Sequence, residues 1–265
     1  LRERIEGKWI DCFAEVFARC GVQPGEAVAI LSETQSREVN VQLAELALQR
    51  LGARAFHVVV PTPRLSAPAP VRSTGASDAL QRLGPVVSAL AQSTLVVDLT
   101  VEGLLHAVEL PEILKGGARV LMVSNEHPEI LERCLPDPAL EAKVRDAMRA
   151  LKGAKRMSVT SPAGTELDIA LGGARIGGVW GYTAKPGTVA HWPGGICLAF
   201  PPAGSVNGTL VMAPGDVNLT FKRYLQDRVV LRIADDYVRE IEGNGVDADL
   251  MRDYFASWGD AEAYA

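Results

Sequence analysis

From Leu1 to about Gly153, short apolar runs rich in β-branched residues alternate with longer stretches whose apolar positions recur at helical spacing. Ile5, Trp9, Ile10, Phe13, Val16 and Phe17 share one helical face, and Gly21 ends that predicted helix. Ala27–Leu31 reads as a buried strand, Val39–Leu51 as a helix closed by Gly52, and Ala55–Val60 as the next strand, which together make a βαβ unit. A Pro/Ser-rich loop from Pro61 to Ser77 leads to a second helix and to a strand ending in Thr94–Asp98. Arg119–Val123 is a further strand, and Asp137-Pro138 supplies the N-cap and first-turn proline of a helix running to Leu151. Strands this apolar, alternating with helices, predict a doubly wound parallel sheet covered on both faces, a Rossmann-like α/β arrangement.

After Lys152-Gly153 the rhythm turns to β. Met157–Thr160, Glu166–Leu171, Ile196–Phe200, Thr209–Met212 and Val229–Ile233 are short runs separated by Gly, Pro, Asn and Asp. Asp235-Asp236 reads as a turn into Tyr237–Ile241, and Asp247 as the cap of a helix through Phe255. The predicted organisation is an α/β Rossmann-like domain over 1–153 and a β-rich domain over 154–265.

With 265 residues, 48% of them hydrophobic, the chain is long enough for a full core. A formal net charge of −5 and the absence of any Lys/Arg block argue against nucleic acid as a partner. Cys12, Cys20, Cys134 and Cys197 lie far apart with no C-x-x-C pair, as in free thiols of a reducing compartment. No apolar run approaches a membrane span and the charged start at Leu1-Arg2-Glu3 is unlike a signal peptide, so a cytoplasmic protein with no membrane partner is expected.

The doubly wound half invites a nucleotide, but the turn after the first strand, Ser32-Glu33-Thr34-Gln35-Ser36, has no glycine to admit a pyrophosphate. The four histidines carry more. His106 follows the strand ending at Asp98, where residues of such sheets commonly line a ligand crevice. His191, in Ala190-His191-Trp192-Pro193-Gly194-Gly195, combines an apolar setting with a rigid Trp-Pro turn, which suits an imidazole tuned for proton transfer. A backbone-bonded structural histidine remains open as the alternative for each. His57 in mid-strand reads as a packed residue and His127, before Pro128, as a solvated cap. Glu166 and Asp168 share a strand face and read as a hydrated edge. Gly172-Gly173 and Gly177-Gly178 read as turns around Ile176, and Trp180, Tyr182 and Trp192 offer an aromatic wall for a planar ligand.

Val97-Asp98 to Leu105-His106, then Trp180-Gly181-Tyr182, Lys185-Pro186-Gly187 and His191-Trp192-Pro193-Gly194-Gly195 form an ordered set. It continues through Asn207–Val211, Pro214-Gly215-Asp216 and Leu250–Phe255, so nearly the whole chain resembles the 2,5-dihydroxypyridine 5,6-dioxygenases, with a further similarity to the aminopeptidase T metallopeptidases. The resemblance implies an extradiol-type ring-cleaving dioxygenase with ferrous iron held by two histidines and a carboxylate, taking a small hydroxylated aromatic or N-heterocyclic ring and dioxygen. It implies that His106 stabilises bound oxygen and that His191 moves the proton of the substrate hydroxyl. Val179, Tyr182 and Trp192 are the implied substrate-contacting residues. At Val179 those enzymes carry a glutamate that engages substrate, so the ring taken here is expected to lack the matching polar group. Their iron ligands fall just beyond the position of Tyr264-Ala265, so Fe(II) is expected on residues beyond Ala265, with the β-rich domain incomplete there and the chain inactive if it ends at that point. A homo-oligomer is expected from both families. Two other readings are kept: a metallo-aminopeptidase, weakened by the absence of Asp or Glu from Val189 to Met212, and a metal-free binding protein on the same scaffold.

Overall fold

A computed structural model describes residues 4–64 and 76–265. Leu1–Glu3 and most of the Pro/Ser-rich loop predicted for 61–77 lie outside the described residues. Among those described, the chain divides into two compact units, one of residues 4–64, 76–145 and Gly178–Ile196, the other of Asp146–Gly177 and Cys197–Ala265.

The first unit is built on α1 (Gly7–Arg19), β1 (Ala27–Glu33), α2 (Glu38–Arg50), β2 (Arg54–Val60), α3 (Gly84–Ala91), β3 (Leu95–Asp98), α4 (Leu110–Lys115), β4 (Arg119–Val123), α5 (Pro128–Arg133) and the start of α6 (Pro138–Gly153). Its sheet is wholly parallel, in the order β2, β1, β3, β4 and then β8 (Val189–Trp192). Every residue of β3 and β4 is buried, as continuous apolar runs predict for a sheet covered twice. On one face Val28, Ile30, Val97 and Leu121 pack under α1 and α2, with Phe13, Phe17 and Leu43. On the other Ala29, Leu31, Val96 and Val120 pack under α3 and α4, with Leu90 and Ile113. Alternate residues of each strand thus feed two separate cores. Asp137 caps α6 as predicted, its Oδ1 accepting from the Leu140 amide at 2.6 Å.

The chain returns to this sheet late, which the sequence pattern does not announce. Val189–Trp192 is short, carries a histidine and follows Lys185-Pro186-Gly187, and no strand is predicted there, yet it pairs with β4 from Val120↔Val189 to Val123↔Trp192. The predicted split at 153/154 therefore differs from the compact units, which place 178–196 with the α/β part.

The second unit holds β5 (Arg156–Thr160), β6 (Glu166–Ala170), β10 (Val206–Met212), β13 (Val229–Ala234) and β14 (Tyr237–Glu242) in an antiparallel sheet of order β14, β13, β10, β6, β5. β11 (Val217–Asn218) pairs with β12 (Arg223–Tyr224), and α7 (Val246–Ser257) lays Ala248 and Met251 on Leu225, Val229 and Leu231. Asp235 and Asp236 form the expected turn, at φ 51° and 72°. β7 (Arg175–Val179) pairs with β9 (Ile196–Phe200), so Gly177 and Gly178 belong to a strand where a turn is predicted. Asp247 also departs from its prediction. Gly245 occupies the N-cap, and the Asp247 carboxylate instead accepts from the Gln226 and Asp227 amides at 2.7 and 2.9 Å, with Arg223 beside it.

Candidate active site

Register places a single row of residues across the carboxyl end of the parallel sheet: Leu31, Asp98, Met122 and His191 on β1, β3, β4 and β8. In a parallel sheet partners in one row point to the same face, so His191 stands on the α3/α4 side with Asp98 and Met122. The segment that leaves β3 folds over that same row. Gly103, at φ +81°, sits so close to the Met122 side chain that an added Cβ would lie 2.0 Å from its Cε. Leu104 and Ala107 are buried on either side of the exposed His106. The sheet therefore brings the His106 segment to the row of His191, whose Cα lies about 10 Å from that of Asp98 at two strand spacings.

His191 is half-buried on β8, and its Nδ1 is 2.7 Å from the Pro193 carbonyl oxygen, across the cis Trp192-Pro193 bond. A carbonyl can only accept, so Nδ1 carries the proton and, in the neutral ring, Nε2 keeps a lone pair. Burial lowers the His191 pKa, opposed by the bond to Pro193. Burial prevails, and the net lowering leaves a neutral imidazole at neutral pH whose outer nitrogen is ready to take a proton.

Trp192 corrects the predicted aromatic wall. As the next residue of a strand it must point to the other face, and its ring is wholly buried against Phe13, with centroids 5.0 Å apart and Nε1 donating to the Cys134 carbonyl at 2.9 Å. Trp192 anchors β8 in the core and is not among the residues that line the cavity described next. The other two aromatics are. A cavity of about 520 Å³ along the free edge of β8 is lined by Val179, Trp180, Tyr182, Lys185, Glu141 and Arg145 among others. Trp180 and Tyr182 meet edge to face at 6.4 Å, and the Arg145 guanidinium lies 4.4 Å over the Trp180 ring. The Tyr182 hydroxyl donates to Glu141, which also takes the Arg145 Nε at 2.7 Å. That bond from Tyr182, with the help of Arg145, holds the Glu141 carboxyl below its usual range, while burial and then Glu141 push the Tyr182 hydroxyl up to about 12. Val179 and Tyr182 thus share one cavity, while His106 and His191 belong to the carboxyl edge. The two places are joined by the Gly195 amide, which donates to the Val179 carbonyl at 2.8 Å just after the His191 turn.

Elsewhere, His127 caps α5 as predicted, its Nδ1 accepting from the Glu129 amide at 3.2 Å. His57 departs from its reading as a packed residue: β2 is an edge strand, and the ring is exposed and 3.3 Å from Glu45. Glu166 and Asp168 lie exposed on β6, with Asp168 bonded to Arg156 on β5. Sequence reasoning missed the roles of Glu141 and Arg145, whose one signal is a four-residue spacing on a helix, and of Asp98, which enters the motif set as the charge ending an apolar strand but with no role of its own. Among the described residues no three His, Cys, Asp or Glu side chains gather as a metal ion would require, and no helix is long and apolar enough to cross a membrane.

Comparison with known proteins agrees with this architecture. A curated 2,5-dihydroxypyridine 5,6-dioxygenase from Pseudomonas putida KT2440 is 34% identical over 254 residues, 95% of this chain and 71% of that protein. A solved structure of the 2,5-dihydroxypyridine dioxygenase from that organism matches with a TM-score of 0.90 at 34% identity, over 97% of this chain and 74% of its own. AmpT from Thermus thermophilus matches with a TM-score of 0.57 at 14% identity, over 97% of this chain and 76% of its own, a likeness of fold alone. The family model described as NicX, 2,5-dihydroxypyridine 5,6-dioxygenase, matches residues 8–265, and the chain belongs to this family of dioxygenases.

Proposed function

We propose that this protein is an iron-dependent dioxygenase that opens a hydroxylated aromatic or N-heterocyclic ring, with a dihydroxypyridine as its first candidate substrate. Family membership supplies the reaction class, and the observation that carries the assignment to this chain is the fixed tautomer of His191 at the carboxyl edge of the sheet. With Nδ1 held by Pro193, Nε2 accepts the proton of a substrate hydroxyl, and the negative charge gained on the ring makes it the electron-rich partner that oxygen insertion needs. His106 supplies a hydrogen bond to dioxygen or to the carbonyl oxygen formed from it. Val179 and Tyr182 belong to the wall around the ring, and Val179 makes that wall apolar, favouring a ring without a polar group there. Trp192 contributes by anchoring β8, so that His191 does not swing.

Ferrous iron, as the family resemblance implies, activates dioxygen when bound. The described residues do not by themselves form a site for it, so every step above is assigned to this chain's own side chains. The test is incubation of iron-replete protein with 2,5-dihydroxypyridine under ¹⁸O₂. Uptake of both labelled atoms into a ring-opened product is expected. Absence of oxygen uptake with any dihydroxylated ring, iron being present, would contradict the proposal.

A further inference from the structure

The wholly buried carboxylate of Asp98 spends both its oxygens on the segment that carries His106. Oδ1 accepts from the Thr100 amide at 3.0 Å and from the Thr100 hydroxyl at 2.7 Å, and Oδ2 accepts from the Leu104 amide at 2.7 Å. The Thr100 hydroxyl oxygen in turn accepts from the Gly103 amide at 3.0 Å. From the opposite side the Ser77 amide donates to the Gly103 carbonyl at 2.8 Å, while the Ser77 hydroxyl donates to Glu33 at 2.9 Å. Glu33 ends β1, the strand beside β3. The loop is thus held by two buried acids, one directly and one through Ser77, on neighbouring strands at the point where the order of the sheet reverses.

Such a clamp is expensive to bury. Desolvation pushes the Asp98 carboxyl up to about 6, against the pull of the Thr100 and Leu104 donors, and the charge of Glu33 adds to the rise. A loop that only had to connect β3 to α4 could be closed by backbone bonds and the buried Leu104, without an anion in the core. What the anion adds is one geometry. Its three donors fix the turn from Thr100 to Leu104, the turn sets Gly103 on Met122, a member of the row that ends in His191, and His106 follows at the surface two residues after Leu104.

We propose that Asp98 is a positioning residue: its carboxylate, through Thr100 and Leu104, holds His106 in register with His191. This rests on the functional reading above, in which His106 meets the reacting molecules. The role differs from general support of the fold because it acts through one side chain.

The experiment compares Asp98→Asn, Thr100→Val and His106→Ala with the wild type, and Asp98→Asn/His106→Ala with His106→Ala. Asparagine keeps one acceptor but turns an NH₂ or a single oxygen toward the Leu104 amide and the Thr100 donors, and valine removes the hydroxyl from both its bonds. Amide hydrogen exchange over 99–107 is expected to speed up by about tenfold in Asp98→Asn and Thr100→Val, with β1 and β4 unchanged. Turnover of 2,5-dihydroxypyridine by iron-replete enzyme is expected to fall by about 10- to 100-fold in kcat, with KM within about threefold, as for a misplaced catalytic group. Added to His106→Ala, Asp98→Asn is expected to cost almost nothing more, because the group it positions is gone. Unchanged exchange in both clamp variants overturns the proposal, as does an equal loss of kcat with and without His106. If the wild type turns over no dihydroxylated ring, the functional reading fails by itself, and the exchange arm still decides whether Asp98 holds the loop. If Asp98→Asn does not fold, Thr100→Val, which keeps the buried charge, carries the same test.

Discussion

Gly103→Ala perturbs the contact that joins the His106 segment to the row of His191. Two costs follow from the geometry. At φ +81° an alanine sits in the left-handed region, at about 1–2 kcal/mol for a residue with a Cβ. The new Cβ would also lie 2.0 Å from Met122 Cε and 2.3 Å from Sδ, so the thioether must leave its place, an overpacking cost of about 1–3 kcal/mol. Their sum, about 2–5 kcal/mol, is an upper bound if the loop stays put. Urea unfolding followed by far-UV circular dichroism measures it. A double-mutant cycle with Met122→Ala separates the parts: the clash disappears and the φ cost stays, so a coupling of about 1 kcal/mol or more is expected. A Gly103→Ala protein within about 0.5 kcal/mol of wild type, or a cycle with no coupling, would refute the packing of this loop on β4.

Three further outcomes test other parts of the account. Because the folded pKa of Asp98 is raised to about 6, the native state binds more protons than the unfolded chain between about pH 4 and 6, and this group's contribution to stability falls as pH rises through that window. The wild type's stability relative to Asp98→Asn should drop by about 2 kcal/mol from pH 4.5 to 7.5, and a flat or rising difference would show that the carboxyl is not desolvated as described. Trp192→Ala should destabilise by about 3–5 kcal/mol in urea titrations, as loss of a buried aromatic does, and a change below about 1 kcal/mol would return that ring to the cavity wall. Val179→Glu should raise kcat/KM for 2,5-dihydroxypyridine by about tenfold by supplying one charged hydrogen bond, and a loss for every pyridine tested would remove position 179 from the substrate pocket.

Much of the α/β half was legible because its strands are uniform: a run such as Val120-Leu121-Met122 can be buried on both faces only in a covered parallel sheet. The last strand of that sheet was not. Val189–Trp192 has four residues and gains its identity from hydrogen bonds to β4, some 70 positions away, which no local period reports. Without that strand the sequence groups Trp192 with Trp180 and Tyr182 in one wall, although Trp192, next to His191 on a strand, faces the opposite way from it. His57 misled for a related reason, since only the sheet order shows that β2 is an edge. At the site, His106 and His191 were visible as residue types at telling positions, whereas Asp98 became informative only once Thr100 and Leu104 folded back onto it. The tautomer of His191 likewise depends on a carbonyl two residues away whose direction the sequence does not state.

Turnover of 2,5-dihydroxypyridine by iron-replete His106→Ala, His191→Ala and the double variant tests the central claim most directly. If the two imidazoles at the carboxyl edge serve one reaction, each single change should lower kcat by about 10²–10⁴-fold with thermal stability little altered, and the double variant should lose little more than the worse single. Full turnover in His191→Ala, or a loss of folding in place of a loss of rate, would contradict it.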